Sequence, residues 1–212
     1  MNRFKLVAAA LAGLWFATTH AATPDTSPSA ASAGAQERPP ERTLLATPPK
    51  ALNDFELTSH TGKPARLSKL KGAPVLVFFG FTHCPQVCPA ALTELRQLES
   101  KHKAELGPTR IVIVSVDGER DTPEAMQTWL KPLSPNFIGL TGAPAQVHTI
   151  AEGFSATFYK TAGPKPGEYS VEHNSQVFLL DAQGRLRATF FNAPVATMAE
   201  VTQSVAKEPK KK

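Results

Sequence analysis

The sequence predicts an α/β domain whose central mixed sheet is flanked by helices, with a strand pair near its start and a β-hairpin near its end. Three observations carry that expectation. Pro74 to Phe79 (PVLVFF) and Arg110 to Val116 (RIVIVSV) are almost unbroken apolar runs, as expected of strands buried on both faces. A helical signal follows each run. Late in the chain, Ser175 to Leu180 and Leu186 to Phe191 flank Asp181-Ala182-Gln183-Gly184, a turn with Gly where left-handed backbone is needed.

Taken in order, the chain opens as an export signal. Arg3 and Lys5 supply positive charge, Leu6 to Ala17 is an apolar run of 12 residues, and Thr19-His20-Ala21 offers the small residues that a signal peptidase reads. Twelve residues fall short of the roughly 20 that span a bilayer. Residues 1–21 are therefore expected to be a signal peptide or an uncleaved N-terminal anchor, and the destination a periplasm, with the protein soluble or held at the inner membrane. Residues 22–50 are rich in Ala, Ser, Thr and Pro and are expected to be a disordered tether, because they bury too little to offset ordering entropy. The folded domain is expected over 51–206. Asn53 to Leu57 and Ala65 to Leu67 form the strand pair around Thr61-Gly62. After the first buried strand and the Gly80-Phe81-Thr82-His83 turn, Ala91, Leu92, Leu95 and Leu98 repeat at helical spacing and predict a helix from Val87 to Ala104. Thr122-Pro123-Glu124, after the second buried strand, is a helix start with capping hydroxyl, first-turn Pro and early acid. Phe137 to Leu140 reads as a short strand, Pro144 to Ala151 as a short helix and Ala196 to Val205 as the closing helix, ahead of a basic tail over 207–212. Strand, helix, strand, helix, hairpin and final helix is the order of a thioredoxin-like fold.

Composition narrows the function. The 212 residues are 42% hydrophobic and 19% charged, enough for one core, with a formal net charge of +5. That charge sits at the ends. Setting aside Arg3, Lys5, Lys207, Lys210, Lys211 and Lys212 from the 23 cations, and Glu208 from the 18 acids, leaves 17 of each sign. A neutral body lacks the basic face that nucleic acid requires. Two cysteines exclude a disulfide-rich scaffold, an all-cysteine zinc site and an iron–sulfur cluster held by this chain alone.

Those two cysteines carry the chemistry. Cys84 and Cys88 stand at i and i+4 in Thr82-His83-Cys84-Pro85-Gln86-Val87-Cys88-Pro89, between a buried strand and a helix start. Partial positive charge and free N–H groups at a helix N-terminus favour thiolate over thiol. Two thiolates so spaced can close a disulfide or grip one soft metal ion. Zinc prefers four protein ligands, or three and a water, whereas Cu(I) is selected by thiolates and would accept two with one imidazole. The spacing alone does not say which His would join.

FTHCPQVCP, SVDGERDTP (Ser115 to Pro123) and VEHNSQVFLLDAQGRL (Val171 to Leu186) together resemble the three signature regions of the SCO/SenC family of exported, thioredoxin-like copper chaperones. The resemblance runs from about Leu52 to Val205. It implies copper, as Cu(I), Cu(II) or both, bound by Cys84, Cys88 and His173, with Cys84 and Cys88 as the redox pair that forms a disulfide when oxidised. It further implies delivery to, or preparation of, the CuA site of cytochrome c oxidase, so that the partner is the CuA-bearing oxidase subunit or another periplasmic copper protein. The alternative is a thiol–disulfide oxidoreductase acting on such a protein's cysteines and drawing on thiol reductants; no peroxidase motif surrounds Cys84. Three departures stand out: Gln86 where the family commonly has Asp, Gly118 where Pro is common, and Glu172 before His173 where Asp is usual. Of the other histidines, His83 reads as a solvated loop residue beside Cys84, His60 and His102 as surface, His148 as packing, and His20 belongs to the leader. Asp117, Arg120 and Asp121, at the sheet edge where sites gather, read either as capping and a surface ion pair or as part of the site, and Phe78, Phe79 and Phe81 as core.

Overall fold

The structure, a computed structural model, describes residues 40–208 apart from 86, 164, 166 and 167. The expected leader, the tether as far as residue 39, Gln86 and residues 209–212 lie outside the described residues. The first element is a strand inside the expected tether: β1, Arg42–Lys50, pairs antiparallel with the last strand of the sheet. The tether expectation is corrected there. Its Thr and Pro content conceals an edge strand that buries little and is held by its ladder to the neighbouring backbone.

The strand pair follows as β2 (Glu56–Ser59) and β3 (Pro64–Arg66), with Gly62 left-handed between them, and then a single-turn helix, α1 (Leu67–Leu70). β4 (Val75–Gly80) is buried at every residue, as its apolar run predicts. The long helix is interrupted at His102, giving α2 (Val87–Lys101) and α3 (Lys103–Leu106). β5 (Arg110–Ser115), α4 (Pro123–Leu130), β6 (Phe137–Thr141) and α5 (Pro144–Phe154) complete the central part. Thr122 caps α4 as the sequence predicts, its hydroxyl accepting the Ala125 N–H at 3.2 Å. A hairpin absent from the sequence reading comes next, β7 (Phe158–Ala162) and β8 (Tyr169–His173). The expected late hairpin is β9 (Val177–Leu180) and β10 (Leu186–Phe191), with Gly184 at φ +78°. The chain closes with α6 (Val195–Lys207). Lys207 thus belongs to the helix rather than to a frayed tail, and Glu208 accepts both guanidinium N–H groups of Arg187 at 2.5 Å.

Eight strands form one mixed sheet in the order β1-β10-β9-β4-β5-β6-β2-β3, and β7-β8 is a separate two-stranded sheet. β4, β5 and β6 run parallel at the centre; the other ladders are antiparallel. Strand alternation sends Phe78 and Gly80 of β4 to one face and Val77 and Phe79 to the other. Cys88 of α2 packs on the Phe78 face. α5 covers the opposite face, where Phe154 meets Phe79 and Phe178 edge-on, each at 5.3 Å. This is the predicted thioredoxin-like α/β architecture, a central mixed sheet between helices. The C-terminal ends of β4, β5 and β6 lie side by side, the edge at which open α/β sheets place their chemistry.

Because β1 is the sole described partner of the outer edge of β10, its loss should be measurable. A chain that begins at residue 51 should melt roughly 5 °C below the full chain, equivalent to about 2 kcal/mol for a domain of this size. Thermal denaturation followed by circular dichroism checks this; equal melting temperatures would mean that β1 contributes no stability.

Candidate metal centre

The centre begins where β4 leaves the sheet. The Val116 N–H donates to the Gly80 carbonyl at 2.9 Å and so extends the β4–β5 ladder to the last residue of β4. Gly80 has no side chain for a local reason: a Cβ there would lie 2.9 Å from Cys88 Sγ and 2.6 Å from Phe78 Cε1. Phe81 is buried, Thr82 and His83 form a turn, and Cys84 follows, half-buried. Cys88 is fully buried in the first turn of α2, and its backbone N–H donates to Cys84 Sγ at 3.3 Å. The four-residue spacing across a helix start thus brings both sulfurs to one point.

β8 brings the imidazole. His173 Nε2 lies 3.4 Å from Cys84 Sγ and 3.3 Å from Cys88 Sγ. On the other side of the ring, Nδ1 is 2.9 Å from the Asn174 carbonyl oxygen. A carbonyl only accepts, so Nδ1 carries the proton and the Nε2 lone pair points at the sulfurs. Phe78 and Phe81 stand edge-on to the ring at 6.0 and 5.5 Å. The three donor atoms lie within 4.8 Å of one another. Two sulfurs and one imidazole form a soft donor set of three, suited to a soft cation of low coordination number and one short of what structural zinc takes from protein. The helix N-terminus does not make a thiolate of Cys88. The thiol of Cys88 is pushed well above its ordinary range, first by its hydrogen bond with Cys84 and then by burial. The bond with Cys84 and solvent exclusion together favour the thiol at that position.

The charge cluster is not a surface feature. Asp117 and Asp121 are 1% and 0% exposed. Asp121 accepts the Thr82 hydroxyl at 2.6 Å, the Thr82 N–H at 3.1 Å and the Ser115 hydroxyl at 2.7 Å, which ties the cysteine corner to the end of β5. Asp117 pairs with Arg120 and accepts the Tyr169 hydroxyl at 2.7 Å. Tyr169, at the start of β8, went unremarked in the sequence; its place four residues before His173 was the only signal. Its phenol is pushed up to about 12 by burial and by the bond to Asp117. His83 is exposed beside Asp121 and bonds the Thr82 hydroxyl at 2.8 Å, in keeping with a loop histidine. His60 departs from the surface reading, since its Nδ1 accepts the Gly139 N–H at 3.0 Å and extends the pairing of β2 with β6. His102 sits in the break between α2 and α3 beside Glu105, and His148 stacks on Phe158 at 4.0 Å. Phe78, Phe79 and Phe81 are core, though two of them also wall the imidazole. Glu172 is exposed, on the strand face opposite His173, so that departure leaves the donor set untouched. At Gly118 a Cβ would lie 1.9 Å from the Gly142 carbonyl oxygen; this loop passes closer to the end of β6 than a proline would permit.

Comparison with known proteins agrees with this geometry. The SCO1/SenC family model matches residues 45–208. A SCO2-like protein of Rickettsia conorii is 37% identical over 142 residues, covering 65% of this chain and 68% of its own. The copper-bound ScoI of Bradyrhizobium japonicum superposes with a TM-score of 0.67 at 31% identity, covering 73% of this chain and 99% of that one. BsSco, a member of the Sco family of cytochrome c oxidase assembly proteins in which a disulfide switch was identified, gives a TM-score of 0.63 at 27% identity, with 76% and 96% covered. With its three signature regions, its thioredoxin-like fold and a match over most of its length, the chain belongs to the SCO1/SenC family.

Proposed function

We propose that this protein is an exported copper metallochaperone that holds copper through Cys84, Cys88 and His173 and delivers it to, or prepares, the CuA site of cytochrome c oxidase. The observation that carries the reading is the convergence of two sulfurs and one oriented imidazole nitrogen within 4.8 Å. The relatives support it: one is described with copper bound, another as a cytochrome c oxidase assembly protein. Export, to a periplasm or its equivalent, follows from the expected leader; among the described residues no helix is long and apolar enough to cross a membrane.

Each residue has a part in capture and release. Cys88, buried and held as a thiol, releases its proton to solvent as its sulfur ligates the metal. Cys84, half-buried, is the sulfur a partner can reach first. His173 brings a neutral donor from a different sheet, so it can withdraw while the cysteines hold. A second reading, a thiol–disulfide oxidoreductase acting on a copper protein's cysteines, is favoured by the same asymmetry, an accessible Cys84 and a buried resolving Cys88.

The reduced full chain should bind one Cu(I), and the oxidised chain should bind it at least tenfold more weakly, because thiolates rather than a disulfide are the soft ligands. An anaerobic competition titration checks this, and equal affinities would sink the chaperone reading. The pH dependence has a definite sign. The thiol of Cys88 is raised, so copper must displace its proton; binding releases protons and the apparent affinity weakens as pH falls from 8 to 5. A flat profile would count against thiolate ligation. The third test separates the two readings. His173→Ala should weaken Cu(I) binding by about tenfold or more, or about 1.4 kcal/mol, and leave the glutathione reduction potential of the metal-free Cys84/Cys88 pair nearly unchanged. Cys84→Ser and Cys88→Ser should abolish both properties.

A further inference from the structure

β7 and β8 share no ladder with the eight-stranded sheet, yet β8 carries His173 while the cysteines stand on the corner that leaves β4 and in the first turn of α2. Backbone hydrogen bonds fix the spacing of strands within a sheet but not between sheets, so other contacts must hold Nε2 within 3.4 Å of both sulfurs. Packing of Phe158 and Val171 seats the hairpin on the core. Packing alone leaves freedom to slide, because dispersion contacts are not directional. Directional contacts come from one loop, residues 117–121. The Tyr169 hydroxyl donates to Asp117 Oδ1 at 2.7 Å, and Arg120 Nη1 donates to the Tyr169 carbonyl at 3.2 Å. The guanidinium carbon of Arg120 lies 3.9 Å from the Tyr169 ring centroid while its Nε pairs with Asp117. Two residues before Cys84, the same loop holds Thr82 through Asp121. One short segment therefore grips both halves of the donor set.

We propose that Tyr169 is a positioning residue: its hydroxyl, latched to Asp117 and framed by Arg120, fixes the reach of β8 and with it the distance from His173 to the two cysteines. The inference rests on the copper reading above for its metal-dependent consequence only. Without the latch, the hairpin stays folded and seated, but its imidazole samples positions too far from the sulfurs to close a three-donor site.

The test uses four full-length chains, parent, Tyr169→Phe, His173→Ala and the double variant, in anaerobic Cu(I) competition titrations. Phenylalanine keeps the ring under Arg120 and removes only the hydroxyl. Tyr169→Phe should weaken Cu(I) binding three- to tenfold in the parent background and leave it unchanged in the His173→Ala background, since it acts through the imidazole. Equal losses in both backgrounds, or no loss in either, would overturn the proposal. A metal-free measurement runs beside it: in the reduced chain, the His173 ring 1H–15N correlations should broaden or shift in Tyr169→Phe while those of His60 stay in place. Unchanged His173 signals would also overturn it. If the parent chain takes up no Cu(I), it is the copper reading that fails, and the ring signals still decide the latch. Asp117→Ala, which removes the acceptor of the phenol and leaves Tyr169 itself unchanged, is the second variant should Tyr169→Phe not fold, with the same expected dependence on His173.

Discussion

The arrangement of the site depends on a carboxylate with no access to solvent. Burying the Asp121 charge would cost several kcal/mol unless its lone pairs were met by hydrogen-bond donors. They are met by Thr82 and Ser115, while the Asp121 carbonyl accepts the Thr141 hydroxyl at 2.6 Å. Those three residues sit just past β4 and at the ends of β5 and β6. A single buried residue thereby fixes how the three parallel strands finish relative to one another, and the cysteine corner is the continuation of the first of them. Any movement of Cys84 away from this edge must strip donors from Asp121, a penalty that rises steeply with displacement.

The centre also depends on where two sheets meet. The cysteines belong to the corner that leaves the large sheet and to the helix it opens, and the imidazole belongs to the small hairpin. Phe78 and Phe81, from the large sheet, form the wall against which the His173 ring stands. That wall lowers the local dielectric and so strengthens both the attraction of thiolates for a cation and the cost of leaving them charged without one. The Cys88 thiol, raised first by its bond with Cys84, is raised further by this burial. A site that resists charge when empty is consistent with the carrier role proposed above, in which occupancy must change.

The central fold was legible because burial on both faces leaves a plain mark in sequence. PVLVFF and RIVIVSV can hardly be anything other than inner strands, and Thr122-Pro123 announces its helix through capping chemistry that needs no tertiary context. The cysteine pair was legible for a similar reason, as its spacing and its strand-to-helix setting are local. His173 was not. It lies 85 residues beyond Cys88, and only the family resemblance singled it out before the geometry did. β1 was hidden because an exposed edge strand needs no apolar alternation, and β7–β8 because Tyr159 and Lys160 face solvent and break the apolar run. The burial of Asp117 and Asp121 was invisible in principle: a charge in a sequence looks solvated until the donors that surround it, here drawn from positions as distant as Thr82 and Tyr169, are brought to it by the fold.

β1 pairs with β10, the first described strand with the last, so Arg42 finds Phe191 only when nearly the whole domain has been made. Central β4 likewise waits for β9 on one side. Such long sequence separation delays closure of the sheet, because the loop entropy must be met before the ladder forms. During synthesis, and during any threading across a membrane, the nascent chain therefore carries its cysteine corner ahead of the strands that will enclose it. For an interval both thiols are open to oxidants, to stray metals and to one another, and the order in which the chain emerges becomes a determinant of the redox state in which the finished molecule first appears.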